Sequence, residues 1–184
     1  MRIEKLKQAF VLDTVLVHFP LHPETPAAGR SLAELYAGRN LDPEAIYRRM
    51  KGLMDAEGLP YGPRTHTYNS RLAQELGKWA DTQPGGGAIH DALYRAYFVA
   101  ARNIGDPDVL VEIAQSVGLP AEAARMVLAT RRFKGAVDAD WAKSHAYGVT
   151  GVPTFVAGRH GVVGAQPYEV LEAMLVEAGA ARRG

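Results

Sequence analysis

Apolar positions fall into three kinds of pattern along this chain. The opening segment places Ile3, Leu6 and Phe10 at helical spacing, which predicts a short helix over 2–10. Val11 to Phe19 is then mostly β-branched or aromatic and reads as a strand, closed by Pro20. Prolines at 20, 23 and 26 forbid a ladder and predict a loop. From Ser31 to about Tyr147 the apolar period is helical. Ser31 caps a helix carrying Leu32, Leu35 and Tyr36, and Asp42-Pro43 gives an N-cap followed by proline at the first helical position. Ile46, Met50, Leu53 and Met54 share one face up to Gly58. Residues 61–68 read as loop. Leu72, Leu76 and Trp79 mark the next helix, which Pro84-Gly85-Gly86-Gly87 breaks.

Ile89, Leu93, Ala96, Tyr97, Ala100 and Ile104 recur near 3.6 residues and predict one long helix. Asp106-Pro107 opens another and Gly118 stops it. Pro120 opens the next, with Ala124, Val127 and Leu128 inward. A further helix carries Val137, Trp141 and a packed His145. Only after Gly148 does the period return to two: Thr154 to Ala157 and Gly161 to Val163 read as a hairpin turning at residues 158–160. Pro167 begins a terminal helix with Val170, Leu171, Met174 and Leu175 inward, and residues 180–184 read as a frayed tail. Helices between separated strands supply the crossover that parallel pairing needs. The expected class is α/β, with residues 1–30 and 148–184 forming a core and 31–147 an all-helical insertion.

Composition narrows the function without choosing one. The 184 residues can bury a full core without disulfides or metal. A net charge of +1 gives no strong field for nucleic acid or anionic membrane. Val11–Phe19 is too short to span a bilayer and carries Asp13 and His18. No apolar stretch of the signal-peptide kind follows the opening helix, so the expected location is cytoplasmic. The absence of cysteine excludes disulfides, thiolate metal sites and a cysteine nucleophile within these residues. His18 and His22 straddle Pro20 with no helix to hold them as a metal pair, and read as exposed loop histidines. No metal site and no catalytic residue is assigned. Gly85-Gly86-Gly87 lacks the Lys-Ser/Thr of a phosphate loop. Tyr94, Tyr97 and Phe98 read as core, with a ligand pocket as the alternative. The Arg48-Arg49, Arg131-Arg132 and Arg182-Arg183 pairs read as solvated surface.

One ordered set of patches carries more. Phe19, Leu21, Pro23, Pro26 and Gly29 form a spaced strand exit. Tyr68-Asn69-Ser70 through Ala80, Ala96-Tyr97-Phe98, Gly148 to Phe155 and Gly164-Ala165-Gln166-Pro167 follow in order. Together they resemble the DsbA-like thioredoxin family, in its FrnE-like branch related to 2-hydroxychromene-2-carboxylate isomerases. The resemblance implies a thioredoxin-like sheet and a cis proline at Pro153, facing a Cys-x-x-Cys helix start. It also implies that Thr150, Gly151, Val152 and Pro153 bind an extended peptide or a small thiol ligand such as glutathione.

The chain departs from that pattern at its front. Met1 stands where the family has just passed its active site, so the first family strand and the redox motif are both missing. Two explanations are open: a translation start placed too late on an active oxidoreductase, or a redox-inactive relative. The serine used by the isomerase branch would fall in the same missing region. Without the first strand, Val11–Phe19 and Thr154–Ala157 would expose apolar edges, and a homodimer through those edges is expected.

Overall fold

A computed structural model describes residues 2–38 and 41–184. In chain order its elements are α1 (Arg2–Ala9), β1 (Arg30–Ser31), α2 (Leu32–Tyr36), α3 (Pro43–Ala56), β2 (His66–Thr67) and α4 (Arg71–Ala80). A short 3₁₀ turn, Gly86–Ala88, leads into α5 (Ile89–Tyr94), which runs on as a π-helical segment, Arg95–Val99. Then come α6 (Pro107–Ser116), α7 (Ala121–Thr130), α8 (Lys134–Ala146), β3 (Thr154–Ala157), β4 (His160–Val163) and α9 (Tyr168–Glu177). The expectation about Met1 lies outside the described residues.

The chain divides into two compact units, one of residues 1–21 and 140–184, the other of residues 22–139, with the boundary inside α8. The larger unit is built as its caps predict. Ser31 and Glu34 form a reciprocal capping box at α2, and Asp42 accepts from the Glu44 N–H at the start of α3. Gly58, at φ +67°, turns the chain out of α3 where a side chain would be strained. Ala73, Leu76 and Ala80 of α4 meet Ile89 of α5, Leu110 and Ala114 of α6, and Ala124 and Leu128 of α7 in one buried cluster. Gly86 is needed there because a Cβ would collide with the Ala80 carbonyl. Residues 61–68 are not all loop: His66–Thr67 pairs antiparallel with Arg30–Ser31. Apart from this two-residue pairing, the regular elements described between residues 32 and 146 are helical, as expected.

The long helix expected over 89–104 ends early. The Ala100 N–H bonds the Arg95 carbonyl, a π-type step, and the Phe98 carbonyl accepts from Gly62 at 2.8 Å. Ala101 then turns at φ 52°, so Ile104 is buried from a loop rather than from the helix.

In the smaller unit α1 and α9 join the hairpin β3–β4, registered Thr154 to Val163 and Ala157 to His160. Leu6, Phe10, Leu171, Met174 and Leu175 form its core, with Phe155, Ala157 and Val162 packed against it. The strand expected over Val11–Phe19 is absent. Phe10 makes one bridge, to Arg182, and the segment beyond it joins no ladder among the described residues. β-branched composition favours a strand only where a neighbouring edge supplies the hydrogen bonds. No parallel pair occurs among the described strands, so the expected crossover sheet is reduced to two antiparallel pairs.

The frayed tail is also corrected. The Val11 N–H bonds the Ala181 carbonyl, the Arg183 N–H bonds the Ala9 carbonyl, and the Arg182 guanidinium lies 4.8 Å from the Phe10 ring centroid. Val170, expected inward, is 39% exposed. His145 is exposed, and α8 instead buries Val137, Asp140 and Ser144.

Candidate functional site

Thr150, Gly151, Val152 and Pro153 form one short loop between α8 and β3. Both ends of it are anchored. At the α8 end the Gly148 N–H bonds the His145 carbonyl and the Val149 N–H bonds the Ser144 carbonyl at 3.0 Å. At the β3 end the Thr154 hydroxyl donates to the Gly151 carbonyl at 2.7 Å, and the Gly164 N–H donates to the Pro153 carbonyl at 2.7 Å. The Val152–Pro153 peptide bond is cis. The turn after β4 is braced in its own right, since the Gln166 side chain donates to the Val163 carbonyl at 2.6 Å.

What this bracing leaves is a fixed stretch of bare backbone. Thr150, Val152 and Pro153 are exposed, Gly151 half so. No backbone hydrogen bond among the described residues involves Val152. Residues 148–156 carry no titratable side chain, so the loop offers hydrogen bonds and apolar contact rather than acid–base chemistry. Among the described residues no group of three or more His, Cys, Asp or Glu could hold a metal ion. His18 and His22 are half-buried rather than exposed, and the His18 N–H donates to the Asp140 carboxylate at 3.0 Å.

The larger unit holds the charged constellation that sequence reasoning missed. Glu75 is fully buried. It accepts from Arg71 at 2.8 Å and from Arg131 through two bonds of 2.8 and 2.7 Å. Arg71 also reaches the Lys134 carbonyl and Asp138. Burial pushes the Glu75 carboxyl up, but hydrogen bonds from Arg131 and Arg71 outweigh it and hold the group below the ordinary glutamate range. Arg131, expected as solvated surface, does keep an exposed side chain (43%), but it also reaches inward to pair with the buried Glu75. The i,i+4 spacing of Arg71 and Glu75 was a visible signal, whereas Arg131 lies 56 positions away. Both Glu75 oxygens are matched within the protein, which marks the network as a structural clamp.

Tyr94, Tyr97 and Phe98 are half-buried: Phe98 stacks on Tyr61 and meets Tyr94 at a tilt, and Tyr97 meets Tyr68 edge-on. Arg64 lies over the Tyr97 ring and donates to its hydroxyl at 2.6 Å, and that hydroxyl donates to Thr67. This fastens β2 to the π-helical segment.

Comparison with known proteins agrees with this architecture. A family model described as the DSBA-like thioredoxin domain matches residues 1–176. The crystal structure of a probable DsbA oxidoreductase from Streptomyces coelicolor superposes with a TM-score of 0.88 at 33% identity, covering 97% of this chain and 82% of that one. A candidate protein disulfide isomerase from Nitrosomonas europaea matches at a TM-score of 0.58 and 18% identity over 74% of each chain, a likeness of fold alone. Among curated proteins, the uncharacterized protein YwbO of Bacillus subtilis (strain 168) is 33% identical over 110 residues, 58% of this chain and 54% of YwbO. The chain spans about half the length of that curated relative. No described helix is long and apolar enough to cross a membrane.

Proposed function

The chain belongs to the DSBA-like thioredoxin domain family, and from that premise we propose that it binds an extended peptide along Thr150–Pro153 without dithiol chemistry of its own. The observation that carries this reading is Val152, 49% exposed and free of backbone hydrogen bonds within a loop anchored at both ends. A fixed N–H and C=O pair at the head of a strand is what an extended ligand can pair with. The 184 residues contain no cysteine, so they supply no thiolate for a mixed disulfide.

Titration of the ¹⁵N-labelled chain with an unstructured peptide should move the Val152 amide first. Val152→Pro removes that donor and should abolish the accompanying shifts of the Gly151 and Thr154 amides, while the fold persists. Undisturbed amides over 150–154 in the native chain would overturn the reading. Insulin reduction with dithiothreitol tests the redox half: clear turnover by the purified chain would refute inactivity.

Glutathione is itself a short extended peptide and fits the same backbone. It would make the chain a relative of the glutathione-dependent isomerases of the FrnE-like branch. Calorimetry with millimolar glutathione separates the two readings: heat with glutathione favours the isomerase type, and its absence leaves the longer peptide. Upstream in-frame codons for a strand and Cys-x-x-Cys would favour the third reading, an active oxidoreductase of which these residues are part. The remaining proposals are a cytoplasmic setting, residues 31–147 as an insertion into a core of 1–30 and 148–184, and a homodimer through exposed edges.

A further inference from the structure

The second strand of the hairpin carries a groove that the peptide loop does not use. Gly161 and Val162 of β4, with Glu169, Ala173, Met174 and Glu177 of α9, line an open cavity of about 410 Å³. The hairpin turn has two residues, Gly158 and Arg159, because Ala157 pairs with His160. In such a hairpin the residues flanking the turn bond each other, so alternate residues aim their backbone groups away from the partner strand. Gly161 is one of those. Its N–H and C=O face the unpaired edge of β4, and no other backbone hydrogen bond among the described residues engages it. Being glycine and exposed, it puts no side chain in the way of an approaching strand.

The walls of the groove say what could enter. Glu169, Ala173 and Glu177 are spaced four apart on α9, so they form one row along the helix. A small residue sits between two carboxylates, and Met174, 7% exposed, makes an apolar floor. Glu169 and Glu177 are the acidic groups of the lining, and no Lys or Arg belongs to it. His160 Nδ1 stands 3.5 Å from Glu177. Eight residues of helix rise about 12 Å. Positions i and i+4 of an extended strand are about 13 Å apart and point to one face.

We infer that the β4–α9 groove is a docking site for an extended basic peptide segment. It adds a third strand beside β4, with Lys or Arg at positions i and i+4 and an apolar residue at i+2. Backbone pairing at Gly161 supplies the edge contact. The central apolar side chain covers Ala173 and Met174, and the flanking cations meet Glu169 and Glu177. A two-stranded sheet is marginal by itself, and a third strand consolidates it.

The test is a titration of the ¹⁵N-labelled full chain with acetyl-Lys-Thr-Val-Thr-Lys-amide. Its lysines and valine fall on one face of a strand. The expected result is saturable movement of the Gly161 and Val163 amides and of α9. The charge-reversed peptide acetyl-Glu-Thr-Val-Thr-Glu-amide should move neither. Glu169→Lys with Glu177→Lys should weaken binding about tenfold or more, since each attraction becomes a repulsion. Both glutamates are exposed, so the variant keeps the native spectrum elsewhere. Ala173→Leu, which fills the middle of the groove, should weaken binding without any change of charge. Equal binding of both peptides, movement confined to residues 150–154, or no movement at millimolar peptide would each overturn the proposal. So would movement of the β4 amides with protein concentration alone, which would make the occupant a second copy.

Discussion

The two units solve the problem of burial differently. In the larger unit fifteen buried apolar residues form one cluster fed by four helices, and a buried Glu75 is matched by two arginines. In the smaller unit the buried cluster has five residues. It is extended by half-buried Phe155 and Val162 and by the docking of Arg182 on Phe10. The surfaces differ in the opposite sense. Among the described residues, eleven of the fifteen exposed large hydrophobics belong to the smaller unit, Val15 at 73% and Val152 at 49% among them. Helices close a core locally through faces at spacing i, i+3 and i+4. A hairpin has two faces and two edges and leaves some of each open unless another element covers them. The loop proposed to bind peptide and the groove beside β4 both fall in the unit with open edges. The clamp falls in the other.

The sharpest way to break this contrast is to remove the ring that centres the small core. Phe10 is fully buried and holds both α1 and the terminal segment. Phe10→Ala should destabilise the smaller unit by about 4 kcal/mol, from lost transfer free energy plus the cavity left behind. Hydrogen exchange should show protection lost over residues 2–10 and 168–183, with α4–α7 retained. Uniform loss across the chain would mean that the two cores are not separately supported.

The corresponding cut in the larger unit is electrostatic. Glu75→Gln leaves Arg131 and Arg71 without their buried counter-charge and should cost about 3 kcal/mol, read from chemical denaturation. The pH dependence follows from the lowered carboxyl. A depressed native pKa contributes stability that is complete above the unfolded value, here 4.5, and is lost as pH falls through the native value. The urea midpoint of the native protein should therefore drop below about pH 4.5, and that of Glu75→Gln should drop less steeply. Asp138, held low by Lys134 and Arg71, keeps the second curve from being flat. A midpoint independent of acid in the native chain would remove Glu75 from the account.

These two sites also mark where the sequence was and was not readable. Ser31, Asp42-Pro43 and Asp106-Pro107 act through hydrogen bonds two or three residues away, so a single stretch contains the whole interaction. The loop at Thr150–Pro153 was legible for the same reason, as a Gly/Pro corner before a short apolar strand. Val11–Phe19 has strand composition, but composition cannot say whether an edge is present to pair with it. The tail was misread because its partners lie over 170 residues away, where Arg183 bonds the carbonyls of Lys7 and Phe10. The helix over 89–104 kept a 3.6-residue period past its end, since Ile104 reaches the core from a loop. Its π-type step answers to Gly62, more than thirty residues earlier.

The smallest effect is the most telling about the open surface. Val15 and Leu16 are 73% and 56% exposed in a segment without a ladder. Replacing both by threonine should change folding stability by less than about 0.5 kcal/mol, because little area is buried at either position. Their exposure should matter instead between molecules. An exposed apolar segment outside any ladder is a template for another strand. Sedimentation velocity of the native chain should show concentration-dependent dimers, and the double threonine variant should shift toward monomer at equal concentration. If the variant instead lost stability by several kcal/mol while sedimenting as before, Val15 and Leu16 would be covered within the chain in solution. The smaller unit would then have the closed surface that so far distinguishes the larger one.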